Sequence, residues 1–434
     1  MTQDELLELS MEKPLYGGDC LSHHQGKAVF IPFALPGETV RARIAHQKRR
    51  FNHAEIDSLI QISSARCEPK CIHFSHCGGC QYQHADYPGQ LAMKQLILRE
   101  IMLRERVPIP ATVGLLSGNP WEYRNRIRLA LGTNNGSSSI QFGYRSRASH
   151  DIVPITECPI AAPMLVRVAS RVEQCLSQNP PPVAVNELEV FTNATEDQVL
   201  VTLHSASASS RETQAWVESM FCELGPPVTG LRIVSKTESG QRERLDLSGE
   251  ESLFYSVANT RYAVQHNAFF QVNRWILEDF VSLVTANRRG RQAWDLFAGV
   301  GLFARRLEQT FECVTAVESS PASFVSLETS LTNASSRAVY STTLQFLKQN
   351  RDRREPGPDC IVLDPPRAGL GQQTCTLLAA IHAPQMVYVS CDPATLARDL
   401  KMLTAERYTI ANITLVDMFP QTYHLETVVS LVRA

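Results

Sequence analysis

The stretch "RQAWDLFAGVGLFARRL" at residues 291–307 is the strongest indicator of the fold, because it joins an apolar run to a helical segment through a turn with two glycines. Three later runs, "CVTAVESS", "DCIVLDPPRAG" and "QMVYVSCDP", are also apolar and end in polar or proline-containing loops. Helical stretches lie between the runs. This alternation predicts an α/β fold with an open parallel sheet, whose ligands bind beyond the carboxyl ends of the strands.

The glycine turn indicates the kind of ligand. In "DLFAGVG" the glycines let the backbone approach a bound molecule closely, and Glu318 follows 17 residues after Gly301, at the end of the next run. An acid in that place can accept both hydroxyls of a ribose. The third glycine of the dinucleotide fingerprint is missing, which favours S-adenosylmethionine, a cofactor without a pyrophosphate, over NAD. The alternative is a simple turn and a surface acid.

Three further residues stand where chemistry is expected. Asp364 ends a buried run before two prolines that stop the strand. Cys391 ends the next run, where backbone N–H groups of the following turn can favour a nucleophilic thiolate. Glu426 falls among apolar residues at the start of the last run, and a buried carboxylate with a raised pKa suits a general base. The alternatives are a helix cap, a structural cysteine and a solvent-facing acid.

A cysteine group precedes these motifs. "CIHFSHCGGC" contains Cys71, Cys77 and Cys80, and Cys158 stands alone in "ECPI". Zinc sites usually show two separated pairs, whereas a three-plus-one arrangement suits an iron–sulfur cluster. A zinc site and a redox pair from "CGGC" remain open, and Cys67 is a further candidate ligand by proximity.

The first 65 residues predict short strands, with a Pro-Gly turn in "ALPGE", and hence a small β-barrel of the kind that binds single-stranded nucleic acid. Basic residues cluster in "RARIAHQKRR" at residues 41–50. Arg124, Arg126 and Arg128 alternate, so a strand would carry them on one face. We interpret them as a stripe for a phosphate backbone, against the alternative of a solvated sheet face.

Length and composition indicate the number of domains and the cellular setting. A chain of 434 residues is too long for one core and predicts two to four domains. Twelve cysteines without a leader segment favour metal or catalytic use, and we expect a cytoplasmic protein without a membrane span or an obligate protein partner. Helices are expected at 89–106 and around 161–177 and 210–223, a turn at 134–139, and two antiparallel strands at the sheet edge in the tail.

Four segments together resemble the RNA uracil-5-methyltransferases that use S-adenosylmethionine: "CIHFSHCGGCQYQH", "HNAFFQVN", "LDPPRAG" and "SCDPATLARDL" with the downstream "MFPQTYHLE". The resemblance is closest to the branch that methylates 23S ribosomal RNA and carries a TRAM domain and a [4Fe-4S] cluster. It implies a TRAM β-barrel, OB-like, at 1–65, and a central α+β iron–sulfur domain at 66–88 and 119–261. A Rossmann-like methyltransferase domain would comprise 89–118 and 262–434.

The resemblance also implies roles for individual residues. Cys391 becomes the nucleophile and Glu426 the general base. The cofactor and uracil sites take Gln271, Phe297, Glu318 and Asp364, and the cluster takes Cys71, Cys77, Cys80 and Cys158, which leaves out Cys67. Leu302 departs from the family, in which a polar residue often stands at that position. RNA is the implied partner, and 23S ribosomal RNA the implied substrate. Alternatives are the T-loop uridine of transfer RNA, a non-catalytic RNA-binding protein, and a methyltransferase of small molecules or proteins.

Overall fold

The computed structural model describes residues 6–133, 140–147, 149–205, 211–236, 242–351 and 357–433. The turn expected at 134–139 lies outside them. Within the described residues the strands form sheets of six, seven and eight strands and a two-stranded hairpin. None of the helices in this part of the chain has the length and apolar character needed to cross a bilayer.

The N-terminal sheet is built from the short strands that the sequence predicts. Its order is β1-β5-β6-β4-β3-β2, in which only β4 and β6 are parallel. Inward residues alternate with exposed ones, as in β1, where Leu7 and Leu9 are buried between exposed neighbours. The strands are β1 Leu6–Ser10, β2 Lys13–Pro14, β3 Asp19–His24, β4 Lys27–Pro32, β5 Thr39–Gln47 and β6 Phe51–Gln61.

A single helix, α1 (Tyr87–Arg104), follows this sheet and a loop of irregular structure. The Asp86 side chain caps its N-terminus by accepting from the Gly89 N–H at 2.8 Å. The helix ends before Arg106, whose φ of 60° is left-handed. The helix predicted at 89–106 is therefore confirmed, with both ends shifted by two residues. The short strand β7 (Gly114–Leu116) comes next.

The central sheet has the order β10-β9-β8-β11-β12-β13-β14. Two helices, α2 and α3, bury apolar faces against it and form one core with its strands. They match the helices expected near 161–177 and 210–223. The elements are β8 Arg126–Thr133, β9 Ile140–Arg145, β10 Ile152–Pro154, α2 Pro163–Gln178, β11 Val185–Thr192, β12 Val199–Ser205, α3 Arg211–Leu224, β13 Val228–Lys236 and β14 Arg242–Gly249.

The C-terminal part begins with a hairpin and continues as a doubly wound sheet. The predicted domain boundary between residues 261 and 262 falls inside β16, and the hairpin packs with the sheet's core through Tyr255 and Tyr262. The elements are β15 Ser252–Val257, β16 Thr260–Gln265, α4 Leu277–Thr285, β17 Gly290–Leu296, α5 Ala304–Leu307, β18 Phe311–Glu318, α6 Pro321–Ser330, β19 Arg337–Tyr340, α7 Thr343–Asn350, β20 Cys360–Leu363, α8 Gly371–Ile381, β21 Gln385–Ser390, α9 Pro393–Ala405, β22 Tyr408–Val416 and β23 Glu426–Arg433.

This sheet has the order β19-β18-β17-β20-β21-β23-β22-β7. Strands β17 to β21 are parallel, and β23 is antiparallel to both of its neighbours. The strand order reverses between β17 and β20, which is where open α/β sheets bind their ligands. The two antiparallel tail strands are thus confirmed, but their place at the edge is wrong, because β7 pairs with β22 and lies outside it.

Apolar side chains on both faces explain why the strands read as continuous hydrophobic runs. Val387 and Val389 of β21 face a core shared with the hairpin and α4, while Met386 and Tyr388 face a second core. The second core includes Ile97, Ile101 and other buried residues of α1. The helix α1, which precedes the central sheet, is therefore packed on the C-terminal sheet.

Candidate active site and cysteine centre

The predicted site residues lie at one edge of the doubly wound sheet. Phe297, Glu318, Asp364 and Cys391 stand at or just after the carboxyl ends of β17, β18, β20 and β21, which are parallel and adjacent. Glu426 begins the antiparallel strand β23, so it starts at the same edge. The topology alone brings these five side chains to the crevice at the switch point.

The turn after β17 has the shape expected of a cofactor loop. Phe297, Gly299 and Gly301 all have positive φ values, of 67°, 56° and 87°. A Cβ atom added at Gly299 would meet open space, whereas one at Gly301 would lie 2.8 Å from Leu327. Gly301 thus allows close packing on α6, and the space beside Gly299 remains free for a bound molecule.

Glu318 organises this turn. Its carboxylate accepts hydrogen bonds from the N–H groups of Gly299, Ser319 and Ser320 at 2.8, 2.7 and 2.6 Å. A carboxylate at the end of the second strand, beside an open glycine turn, is the acceptor that the hydroxyls of a ribose require. These residues fit the nucleoside part of S-adenosylmethionine.

Asp295 lies beneath the turn, and sequence reasoning missed it as a titrating group. It is fully buried, and its Oδ2 accepts from the Ala304 N–H at 2.8 Å. Burial first, and the negative charges of Asp364 and Glu318 next, raise its pKa to about 8. Its position between two apolar neighbours in "WDLF" was the only sequence signal.

Asp364 faces Gln271, which donates from Nε2 to Asp364 Oδ2 at 3.3 Å. The structure therefore brings "FFQVN" and "LDPPRAG" together, although they are far apart in the chain. Burial raises the pKa of Asp364 to about 7, and the hydrogen bond from Gln271 opposes that rise. Asp364 is not the cap of a helix, because α8 begins only at Gly371.

Cys391 and Glu426 are neighbours across two antiparallel strands. Ser390, the last residue of β21, pairs with Thr427 of β23. Because the strands are antiparallel, the residue after Ser390 lies beside the residue before Thr427. Cys391 therefore lies beside Glu426. Glu426 is 3% exposed. Burial and the nearby Asp364 raise its pKa well above the ordinary value. The alternative of a solvent-facing acid at position 426 is wrong.

The thiol of Cys391 is held in its neutral form. Burial and the charges of Glu426 and Asp364 raise its pKa to about 12, while Arg367 opposes the rise. The expectation that N–H groups of the following turn favour the thiolate is wrong, because the N–H groups of Ala394 and Thr395 donate to the Asp392 carboxylate at 3.1 and 2.9 Å. Asp392 caps α9 instead.

A loop at residues 417–425 leads directly into Glu426, and most of it belongs to the segment "MFPQTYHLE" that carries the resemblance. A buried ion pair holds its start: Lys94 Nζ of α1 lies 2.6 Å from Asp417 Oδ1 and 3.0 Å from the Phe419 carbonyl oxygen. Tyr87 donates to the other oxygen of Asp417 at 2.8 Å. Asn273, two residues after Gln271, donates to the Met418 carbonyl at 3.2 Å. These bonds tie α1 and the Gln271 segment to the loop before Glu426.

The four predicted cluster ligands line one cavity. Cys71, Cys77, Cys80 and Cys158 surround it together with Arg124 and Tyr144, whereas Cys67 is not among its lining residues. Burial is the main cause that raises the pKa of Cys77 to about 11 and of Cys80 to about 12. In the described part of the chain, no three His, Cys, Asp or Glu side chains are close enough to hold a single metal ion.

The four cysteine side chains that line the cavity nevertheless suit an iron–sulfur cluster. In a [4Fe-4S] cluster each cysteine binds a different iron, so the thiolates need not converge on one point. A loaded four-thiolate cluster is negatively charged, and Arg124 supplies a cation in the cavity wall. The residues present therefore fit such a group better than a lone zinc ion.

The arginine stripe is wrong as a surface for a phosphate backbone. Arg124 faces the cysteine cavity. Arg126 lies 3.3 Å from Glu189 and stacks on Phe191, and Arg128 pairs with Glu187. The cause is the antiparallel register of β8 and β11, which sets acids of β11 beside these arginines. By contrast, the basic residues at 41–50 are exposed: Arg41, Arg43, Lys48, Arg49 and Arg50.

The fold and the crevice define an α/β enzyme of the methyltransferase class, and comparisons with known proteins agree. Over 98% of this chain and 100% of the other, the structure resembles the crystal structure of Pyrococcus abyssi tRNA (uracil-54, C5)-methyltransferase in complex with S-adenosyl-L-homocysteine, with a TM-score of 0.75 and 22% identity. Residues 352–434 match the family described as tRNA (Uracil-5-)-methyltransferase.

Curated relatives indicate which kind of methyltransferase the chain resembles. The chain is 34% identical to the 23S rRNA (uracil(1939)-C(5))-methyltransferase RlmD of Pectobacterium atrosepticum, over 94% of this chain and 90% of that protein. It is 30% identical to the protein of the same name from Halomonas elongata, over 94% and 85%. The chain belongs to the RNA uracil-5-methyltransferase family and is an enzyme that uses S-adenosylmethionine, as the resemblance in sequence implied.

Proposed function

We propose that the protein methylates carbon 5 of a uridine in 23S ribosomal RNA through a covalent bond between Cys391 and uracil. The observation that carries the mechanism is the pairing of β21 with β23, which sets a thiol beside a buried carboxylate at the cofactor edge. The substrate is supported by the relatives from Pectobacterium and Halomonas, whose names specify 23S ribosomal RNA.

The chemistry requires both residues. Carbon 5 of uracil is a weak nucleophile. Once the Cys391 thiol has lost its proton to water, addition of the thiolate at carbon 6 moves electrons onto carbon 5 as an enolate. The enolate carbon takes the methyl group from the sulfonium of S-adenosylmethionine, which leaves as S-adenosylhomocysteine. Glu426 then removes the proton from carbon 5, and the carbon–sulfur bond breaks to release 5-methyluridine and the cysteine.

The protonation states follow from the geometry. In the free protein, Cys391 and Glu426 are both favoured in their neutral forms, because they are buried near each other and near Asp364. Both ionise more readily beside a cation, and the sulfonium of the cofactor is one. Glu318 and Phe297 would hold the nucleoside, and Gln271 and Asp364 would face the reacting centre. The uridine must leave its stack to enter this crevice.

The remaining parts of the molecule fit the same proposal. We assign the N-terminal sheet to a TRAM β-barrel that contacts RNA through residues 41–50, and the cysteine cavity to a [4Fe-4S] cluster. Protein purified without oxygen is expected to be brown and to contain about four irons per chain. Cys80→Ser should abolish iron binding, and Cys67→Ser should not. Stoichiometric zinc without iron would contradict the cluster.

The substrate is tested with labelled cofactor and two unmodified RNAs. We expect label in 23S ribosomal RNA, little in transfer RNA, and none with Cys391→Ala. The second candidate is transfer RNA, favoured by the structural likeness to a transfer RNA enzyme. Labelling of transfer RNA alone would establish that candidate, whereas RNA binding without labelling of either RNA would support the non-catalytic alternative.

A further inference from the structure

The residue Gln421 has an unusual position within the loop that leads to Glu426. It is 2% exposed, and its φ of 68° is left-handed. A residue with a side chain pays a steric cost for this conformation and keeps it only where the surroundings fix it. The contacts of Gln421 therefore show what fixes the loop.

One side of Gln421 is held by α1. The Gln421 N–H donates to Gln90 Oε1 at 3.0 Å, and Gln90 Nε2 donates to Gln421 Oε1 at 2.9 Å. Gln90 also donates to the Ala85 carbonyl at 2.8 Å, so its own orientation is fixed. This side does not depend on the cysteines.

The other side is held by the cysteine loop. The Gln421 carbonyl accepts from the N–H groups of Gln81 and Tyr82 at 2.9 and 3.0 Å, and these two residues follow Cys80 directly. A second link lies one residue earlier, where the buried Tyr123 hydroxyl donates to the Pro420 carbonyl at 3.1 Å. Tyr123 precedes Arg124, which lines the cysteine cavity.

We propose that the cysteine loop, residues 77–82, together with Tyr123 beside the same cavity, positions Glu426, so that loss of the metal centre releases Pro420 and Gln421 and slows the last proton transfer. The proposal rests on the proposed function for the presence of the centre and the role of Glu426. A metal centre fixes Cys77 and Cys80, and thereby the two N–H groups that hold Gln421. Without the centre, these donors lose the restraint that the two cysteines supply.

The nucleophile should be unaffected by the same loss. Cys391 is placed by β21 and α9, and α9 is anchored through Asp399, which accepts from Tyr388 at 2.8 Å and from the Leu370 N–H at 2.7 Å. Neither bond involves the cysteine loop. Metal loss should therefore spare formation of the covalent adduct and delay its breakdown.

Hydrogen exchange measured by mass spectrometry tests the link without RNA. Metal-loaded protein is compared with the same protein after chelation and oxidation have removed the metal. We expect exchange of the peptide covering residues 417–426 to rise about tenfold or more, because the Gln421 carbonyl loses its two partners and the released loop no longer holds the Gln421 N–H against Gln90 Oε1. Unchanged exchange there, with faster exchange at 71–85, would overturn the proposal, as would protein that binds no metal on these cysteines.

A matched pair of variants tests the link by function. Tyr123→Phe removes the hydroxyl that donates to the Pro420 carbonyl and accepts from Arg124 Nε at 3.4 Å. Tyr408→Phe removes a buried hydroxyl of the same kind that donates to the Ala383 carbonyl at 2.9 Å, far from the loop. Tyr123→Phe should raise the fraction of covalent protein–RNA adduct during turnover several-fold, with KM for S-adenosylmethionine unchanged, and Tyr408→Phe should not. Equal behaviour of the two variants would count against the proposal.

The two proposals fail separately. If no RNA is methylated, the proposed function fails, but the exchange experiment still reports whether the cysteine loop holds residues 417–426. RNA methylation could also occur while exchange at 417–426 is the same with and without metal and adduct levels are the same in Tyr123→Phe and Tyr408→Phe. In that case the positioning role alone is wrong.

Discussion

At the scale of single residues, Glu426 has one carboxylate oxygen, Oε1, without a hydrogen-bond partner among the described residues. A buried acceptor without a partner costs free energy, and such a group points to a ligand or a catalytic role. Its neighbour across the strand pair is Cys391, so thiol and carboxylate stand side by side at the same edge of the sheet.

Glu426→Gln should stop the reaction late. The amide cannot remove the proton from carbon 5, so the methylated uracil should stay bonded to Cys391. We expect a protein–RNA complex that survives denaturant and is visible on a denaturing gel. The double variant with Cys391→Ala is the control and should show no complex. An inactive Glu426→Gln protein that forms no complex would assign Glu426 an earlier or structural role.

Asp295 should make stability depend on pH. Its folded pKa of about 8 lies above the ordinary 3.8, so the folded state binds the proton more tightly. The stabilisation is complete in acid and is lost as pH rises through the folded pKa, with a slope of at most about 1.4 kcal/mol per pH unit. Asp295→Asn should flatten the unfolding free energy between about pH 5 and pH 8.

The exposed Asp57→Asn variant is the control for that measurement. It should leave the slope as it is in the wild type. Parallel pH curves for the wild type and Asp295→Asn, measured by denaturant unfolding, would show that Asp295 is already ionised in the folded protein.

At the scale of elements, α1 holds the loop at 417–425 through an ion pair with no exposed atoms: the side chains of Lys94 and Asp417 are both 0% exposed. Lys94→Met should destabilise the protein by about 3–5 kcal/mol, because it leaves a buried carboxylate without its cation. The double variant with Asp417→Asn should recover much of that loss.

The pair Lys13–Glu100 provides the matched control. It has the same 2.6 Å distance, but its side chains are 42% and 41% exposed. Lys13→Met should cost no more than about 1 kcal/mol. Equal losses for Lys94→Met and Lys13→Met in denaturant unfolding would contradict the importance of burial for the Lys94–Asp417 pair.

The same scale shows what a sequence can and cannot predict. Asp364 and Cys391 directly follow strands with apolar centres, and a proline comes one or two residues later, so local pattern sufficed for both. The ion pairs of Arg126 and Arg128 depend on the register of β8 with β11. About fifty residues separate these two strands, and no local sequence pattern indicates that they pair. The hydrogen bonds that fix Gln421 likewise join three distant segments, and a pattern within one segment cannot reveal them.

At the scale of the whole molecule, a chain of net charge −2 binds RNA only if its positive charge is concentrated. The turn between β5 and β6 carries the exposed residues Lys48, Arg49 and Arg50. The adjacent rings of Phe30 and Phe51 are stacked, with centroids 5.1 Å apart. Basic and aromatic side chains together are typical of surfaces that bind single strands.

Neutralising this turn should weaken RNA binding in a salt-dependent way. Changing Lys48, Arg49 and Arg50 to Gln should lower the slope of log affinity against log salt by about 2, at roughly 0.7 for each phosphate that the protein no longer neutralises. Arg128→Gln is the control, since Arg128 is paired with Glu187. A triple variant with the wild-type slope, measured by fluorescence anisotropy on an RNA fragment, would exclude this turn from the interface.

The pairing of β7 with β22 has a consequence for how the chain is made. Gly114 lies beside Thr414, so 300 residues separate the two partners. At about 5–20 residues per second, a ribosome needs roughly 15–60 s between delivering the first strand and the second. Through most of that interval the apolar side of α1 lacks α9 and β22, which complete the core that covers it. Nascent chains must therefore wait with this helix exposed, and chaperone demand should peak before the last strands emerge.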